Sequence, residues 1–212
     1  ASFIDYINQT RAEHILTIED PVEFIFTPHQ SIINQREVFI DTPSFEQALR
    51  ASLREDCNVL LVGEMRDLES IAATITLAET GHLIFATLHT NDAAQSIDSI
   101  IDVFPPYQQT QIKAQLANVL LGIVSLRLLP KTGGGRMPAV EVLLANSAVR
   151  NLIREGRTYE MDNVLHTNAD EGMISLYHSL ANLVTRGLVS TDDALVYVKD
   201  RDLFQSLVSR GI

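Results

Sequence analysis

Short apolar runs alternate with helically spaced ones along most of this chain, and that alternation predicts a mostly parallel α/β sheet. Residues 14–18 form a β-rich run that Pro21 stops just after Glu19 and Asp20. Residues 44–55 carry Phe45, Ala48, Leu49 and Leu53 at helical spacing behind a Thr42-Pro43-Ser44 start. Residues 58–62 run apolar up to Gly63, the pattern of a strand buried on both faces. A helix is expected over 67–80, ended by Gly81, and another buried strand over 83–88. Asn91 and Asp92 can cap a helix toward Ile101, which Pro105 and Pro106 break. Residues 107–129 read as one long helix with Ile112, Leu116, Val119, Leu120 and Ile123 on one face. The glycines at 133–135 mark a loop, residues 137–144 a last strand, and only helices are expected beyond it, over 147–155, 174–186 and 191–200. The pattern thus places an α/β core over residues 1–145 and a small all-α domain over 146–212.

Composition narrows the choices. With 27 acidic and 16 basic residues the net charge is −11, which repels nucleic acid and anionic lipid unless basic residues cluster, and none do. One cysteine, Cys57, excludes an internal disulfide and suits a reducing compartment; beside an apolar run it reads as a buried structural thiol. No apolar run is long enough for a transmembrane segment. The first residue is Ala1 and the pattern that follows reads as a helix already under way, so the chain is expected to be cut at its N-terminal side.

Open α/β sheets collect reactive groups at the carboxyl ends of their strands. Three predicted strands carry polar chemistry here. The first is followed by Glu19, Asp20 and Glu23. Like charges are costly to gather unless a cation or water network uses them, and an acidic surface loop is the competing reading. The second delivers Gly63-Glu64-Met65-Arg66-Asp67, a carboxylate at a strand tip as Mg²⁺ in a phosphate site requires. The third is bracketed by His82 and His89, with Thr87 and Thr90 as neutral donors; a lone strand-end histidine is more often structural than catalytic. Together they suggest a nucleotide-hydrolysing site, yet no G-x-x-x-x-G-K-[ST] loop occurs in these residues.

Residues 14–24 resemble the Asp box of the type II secretion and type IV pilus ATPases, residues 60–67 their Walker B segment, and residues 80–90 their His box. The order of the three makes the resemblance specific, and it extends over nearly the whole chain. It implies a RecA-like P-loop NTPase core, here truncated after its Walker A loop, followed by a helical C-terminal domain. Relatives that assemble pili or drive type II secretion usually carry a four-cysteine zinc module, for which this chain has only its glycine loop. Ala148, Arg150, Asn151, Leu152, Ile153, Arg154 and Glu155 resemble the helix of the pilus retraction branch; a solvated amphipathic helix is compatible with the same residues. Cys57-Asn58 stands where the family usually has Pro-Asp.

The resemblance implies hydrolysis of ATP with Mg²⁺ by a homohexameric, cytoplasmic motor, peripheral to the inner membrane, working on a pilus platform protein and not directly on nucleic acid. Glu19, Glu64, His82 and His89 are the implied catalytic residues, with Asp20, Glu23, Gly63, Arg66, Asp67 and Thr87 in support. No metal ligand set comes from the protein alone. Arginine fingers are expected mostly from an N-terminal domain; Arg36 and Arg66 are local candidates for which a plain salt bridge is the simpler reading. The alternatives are a pilus-assembly or type II secretion ATPase, a DNA-translocating relative, and a non-catalytic interaction fragment. Without the Walker A loop these residues alone are expected to be inactive.

Overall fold

Every side chain from Ile15 to Glu19 is buried, and so are all four from Val59 to Val62, in a computed structural model that describes residues 1–210. These stretches form the middle of a four-stranded parallel sheet. It belongs to a compact unit of residues 1–89 and 103–108. In chain order this unit holds α1 (Ser2–Thr10), β1 (His14–Glu19), β2 (Ile32–Glu37), α2 (Phe45–Ser52), β3 (Val59–Val62), α3 (Leu68–Glu79) and β4 (Leu83–Ala86). The strand order is β2-β1-β3-β4.

Alternation along the central strands feeds two apolar layers. Ile15, Val59 and Leu61 pack with Ile4 and Ile7 of α1, and the ring of Phe3 stacks on Phe85 at 5.5 Å. Leu16, Ile18, Leu60 and Val62 pack on the opposite face with Ala48 and Leu49 of α2 and Leu77 of α3. Each such Leu or Ile contributes about 1.5–3 kcal/mol on burial. Cys57 joins this second layer, and burial pushes its thiol pKa up, as suits an inert structural residue.

Two expectations need correction here. β2 was not foreseen: only Ile32 and Ile33 are apolar in it, and Asn34 to Glu37 suit an edge strand. β4 is not buried on both faces and stops at Ala86; its side chains are half-buried or exposed because it lies at the other edge.

The second unit comprises residues 90–102 and the chain from Gln109 onward. Its elements are α4 (Ala93–Asp102), most of α5 (Pro106–Val119), β5 (Gly122–Pro130), β6 (Arg136–Leu144), α6 (Ser147–Glu155), α7 (Met161–Thr167), α8 (Leu176–Thr185), α9 (Thr191–Leu195) and α10 (Arg201–Arg210). β5 and β6 form an antiparallel hairpin, with Gly122 opposite Leu144 and Pro130 opposite Arg136. The long helix expected over 107–129 therefore ends at Val119. The backbone of β6 requires glycine at the start of β5, because a Cβ on Gly122 would stand 2.8 Å from the Leu143 carbonyl oxygen.

The hairpin shares its core with the last helices: Leu129 and Ala139 pack with Leu180, Ala181, Leu183, Val189, Ala194, Phe204 and Leu207. Packing thus divides the chain differently from the expected boundary at residue 146, since the hairpin belongs with the helices that follow it. α7 and α10 were also not foreseen, and the helix expected over 191–200 ends at Leu195. No helix of the described residues is long and apolar enough to cross a membrane.

Candidate active site

The register of the first unit aligns Ile18, Val62 and Ala86 across β1, β3 and β4, so the residues after them emerge together at the carboxyl edge of the sheet. Gly63 donates its N–H to the Ile18 carbonyl at 2.8 Å, extending the β1–β3 pairing by one step. Glycine suits this close approach: a Cβ would stand 3.0 Å from Glu19 Cα and 3.1 Å from Ile18 O, so the backbone of β1 would have to give way. On the other side, Thr87 donates its hydroxyl to the Gly63 carbonyl, and Met65 N–H donates to Thr87 O at 3.2 Å. Gly63 and Thr87 therefore bind the strand tips to one another, and the Thr87 hydroxyl is committed to backbone.

Glu64, the next residue, has a side chain only 17% exposed, and each oxygen has a partner. Oε1 lies 2.8 Å from His89 Nε2, and Oε2 lies 2.5 Å from an Arg66 nitrogen. The Arg66 hydrogen bond is the main force holding the Glu64 carboxyl below the usual carboxylate range, and His89 adds to it. His89 and Arg66 are themselves mostly exposed, so the cluster opens to solvent through its cationic members. The charge of Asp20, exposed at the end of β1, acts on Arg66.

Glu19 is buried at the neighbouring strand tip, its Cγ within 3.4 Å of where a Gly63 Cβ would be. Thr17, two residues earlier on the same face of β1, donates to Glu19 Oε1 at 2.7 Å, and Gln35 of β2 reaches the same oxygen at 3.5 Å. Thr17 was not foreseen; its signal was a hydroxyl inside an otherwise apolar strand.

Several expected members lie elsewhere or do other work. His82 stands at the opposite end of β4 from His89. Its Nδ1 contacts the Leu77 carbonyl at 3.0 Å and the Thr80 hydroxyl at 3.1 Å, so it closes the end of α3, and the catalytic role expected for it has no geometric support. The Asp67 carboxylate accepts from Ser70 N–H at 2.7 Å as the N-cap of α3, so one of its oxygens serves the helix start. Glu23 is exposed in the loop between β1 and β2. Arg36 is held by both oxygens of Glu55, at 2.8 and 3.0 Å, and Arg66 by Glu64; both arginines are salt-bridged within the chain.

Residues 1–134 match the family model described as type II/IV secretion system protein. The chain belongs to this family. It is 46% identical over 194 residues to the type IV pilus retractation ATPase PilT of Pseudomonas aeruginosa, a match covering 92% of this chain and 56% of that protein. It is 48% identical over 196 residues to the twitching motility protein of Neisseria gonorrhoeae, covering 92% and 52%. Among solved structures, the crystal structure of the pilus retraction motor PilT with bound ADP aligns at a TM-score of 0.89 and 48% identity, covering 97% of this chain and 58% of that one. The chain thus spans about half the length of the curated relatives it matches.

In this member of the type II/IV secretion system family, α6 is tied down along one side. Val149, Leu152 and Ile153 are buried. Arg150 donates to the carbonyls of Ala117 and Asn118, the latter at 2.8 Å, and Arg154 donates to Asn118 Oδ1 at 3.1 Å. Arg150 therefore satisfies carbonyls at the carboxyl end of α5, where cations are favoured, and Arg154 binds the Asn118 side chain beside them. Ala148, Asn151 and Glu155 are exposed, with Asn151 donating to Glu155 at 3.0 Å.

The carboxylates at the strand tips are hard oxygen donors of the kind Mg²⁺ takes, usually as one protein carboxylate with waters and phosphate oxygens. Glu64 fits that role: each oxygen has one partner, His89 or Arg66, and keeps a second lone pair that a cation or its water could use.

Proposed function

We propose that this chain is the nucleotide-hydrolysing and C-terminal part of an ATP-driven type IV pilus retraction motor. One observation carries the reading: Glu64 and His89 meet at 2.8 Å beside the buried Glu19, at the carboxyl ends of three adjacent parallel strands. That edge is where open α/β sheets place ligand chemistry. ATP with Mg²⁺ supplies the transferable γ-phosphoryl group and neutralises its charge. Glu64, whose carboxyl Arg66 holds below the usual carboxylate range, would hold the cation. Glu19, oriented by the Thr17 hydroxyl, polarises the attacking water. His89 exchanges its bond to Glu64 for one to the terminal phosphate and so reports whether that phosphate is present. The names of the relatives favour retraction over assembly or secretion. A homohexamer on the cytoplasmic side, engaging an inner-membrane platform protein, completes the reading.

The experiment is phosphate release by the full-length protein and its Glu64→Gln and Glu19→Ala variants, with the oligomer followed by size exclusion. Both variants are expected to lose about 10²-fold or more in turnover while assembling normally. Wild-type turnover in either one removes that residue from catalysis. Absence of turnover in the wild-type full-length protein favours an interaction module.

A further inference from the structure

Gln35 of β2 pairs with Thr17 of β1 in the parallel register, one pleat before the level of Glu19. Its side-chain amide is held from both sides by the loop that runs from β1 to β2. Oε1 accepts from Phe26 N–H at 2.8 Å, and Nε2 donates to the Phe24 carbonyl at 2.8 Å. These two bonds fix which way round the amide lies. Reversed, its oxygen would face the Phe24 carbonyl and Glu19 Oε1, three acceptors with no proton among them, while Phe26 N–H would meet another donor. The second Nε2 hydrogen is thereby directed at Glu19 Oε1, 3.5 Å away.

The loop that orients Gln35 is itself anchored, although it has no regular secondary structure. The Phe26 ring packs on the apolar layer of Ile4, Ile7 and Ile15. Asn8 of α1 accepts from His29 N–H at 2.9 Å and donates to the Thr27 carbonyl at 2.9 Å. Val22 N–H donates to Glu37 Oε2 at 3.0 Å. Side chains of α1 and β2 thus pin the loop at several points, and among them Gln35 also reaches the carboxylate at the strand tip.

The outcome is an asymmetric carboxylate. Glu19 Oε1 receives the Thr17 hydroxyl at 2.7 Å as well as the longer approach of Gln35. Among the described residues no hydrogen bond reaches Oε2. One oxygen is therefore bound within the sheet, and the other keeps its lone pairs for water.

We propose that Gln35 is a positioning residue for Glu19: with Thr17 it ties down Oε1 and so leaves Oε2 as the oxygen that meets the attacking water. The inference rests on the reading above that Glu19 polarises that water. It gives the loop after β1 a part in hydrolysis, because the backbone of Phe24 and Phe26 orients the amide and the amide restrains the carboxylate.

The test uses the full-length protein and steady-state ATP hydrolysis, with melting temperatures taken alongside. Gln35→Ala is expected to lower kcat about fivefold with KM for ATP changed less than about twofold, the mark of a misplaced group. Gln35→Met keeps the length of the side chain and removes the amide; it is expected to show the same loss and serves if Gln35→Ala fails to fold. In a Glu19→Ala background, either change at Gln35 is expected to cause no further loss of the residual turnover, because the group it positions is gone. Wild-type kcat in the folded Gln35 variants, with only the melting temperature changed, overturns the inference and leaves the role of Glu19 standing. Equal kcat losses with and without Glu19 also overturn it. Should Glu19→Ala itself hydrolyse ATP at the wild-type rate, the reading of the site fails and this inference falls with it.

Discussion

A Cβ on Gly63 would stand 3.0 Å from the Cα of Glu19, tighter than nearly all packed carbons, so a side chain there requires the two strand tips to give by a few tenths of an ångström. The obstacle is backbone on both sides, which cannot swing away as a side chain tip can. Gly63→Ala is expected to push β1 and β3 apart at their carboxyl ends and cost about 1–3 kcal/mol. The same shift moves Glu19 away from Glu64. Chemical denaturation checks the first effect and phosphate release by the folded variant the second. A variant as stable and active as the wild type would show that the tips are not held this closely.

The Glu64 carboxyl is held below its usual range mainly by its hydrogen bond to Arg66, with His89 contributing less. A carboxylate whose pKa is lower in the folded state stabilises the fold above its unfolded pKa, and that contribution disappears as pH falls through the depressed value. Arg66→Ala is therefore expected to move the Glu64 titration up toward the ordinary range, and His89→Ala to move it less. Carboxyl carbon NMR across pH 2 to 6 measures both. A larger shift in the histidine variant would reverse the assignment of the dominant partner.

The parts of this fold that were legible in the amino-acid pattern are those with one dominant periodicity. β1 and β3 read as buried strands because both faces are covered and nearly every residue is apolar. β2 was illegible because an edge strand can carry Asn34, Gln35, Arg36 and Glu37 without burying them. Residues 120–129 misled because a run of Leu, Ile and Val satisfies both a helical stripe and a strand. In the site, Glu64 and His89 could be located from strand ends alone. His82 could not, since a histidine bracketing a strand can belong to either end, and this one is at the end where α3 finishes. Glu141 left a usable signal, a lone carboxylate on the apolar side of an alternating strand. The unit boundary was hidden for a similar reason, because contacts such as those uniting Leu129 with Phe204 are tertiary.

Helix α6 separates residues that hold the second unit together from residues that face outward. Ile153 is fully buried, so Ile153→Ala is expected to cost about 2–5 kcal/mol. Arg150→Ala uncovers the carbonyls of Ala117 and Asn118 and is expected to cost about 1 kcal/mol. Asn151→Ala, on the exposed side, is expected to stay within about 0.5 kcal/mol. If the exposed residues of α6 serve the motor, Asn151→Ala alters pilus retraction at unchanged stability, and Ile153→Ala acts through folding. Thermal melts paired with a twitching assay separate the two.

Burial is the main cause raising the Glu141 pKa above its ordinary value of 4.5, and the charges of Asp92 and Asp162 push the same way against the Ala93 N–H bond. Below the ordinary carboxylate range this side chain is protonated in both folded and unfolded states and costs the fold no buried charge. Between 4.5 and the raised value the unfolded chain ionises and the folded one does not, so stability is progressively lost as pH rises through that window. Glu141→Gln removes the ionisation while keeping an acceptor for Ala93 and offering donors toward the two aspartates. It is therefore expected to stabilise the protein at pH 7 by on the order of 1 kcal/mol and to be neutral near pH 4. Paired melts at the two pH values decide it. A gain at pH 4 equal to that at pH 7 would show that shape, and not the buried charge, sets the cost of a carboxylate in β6.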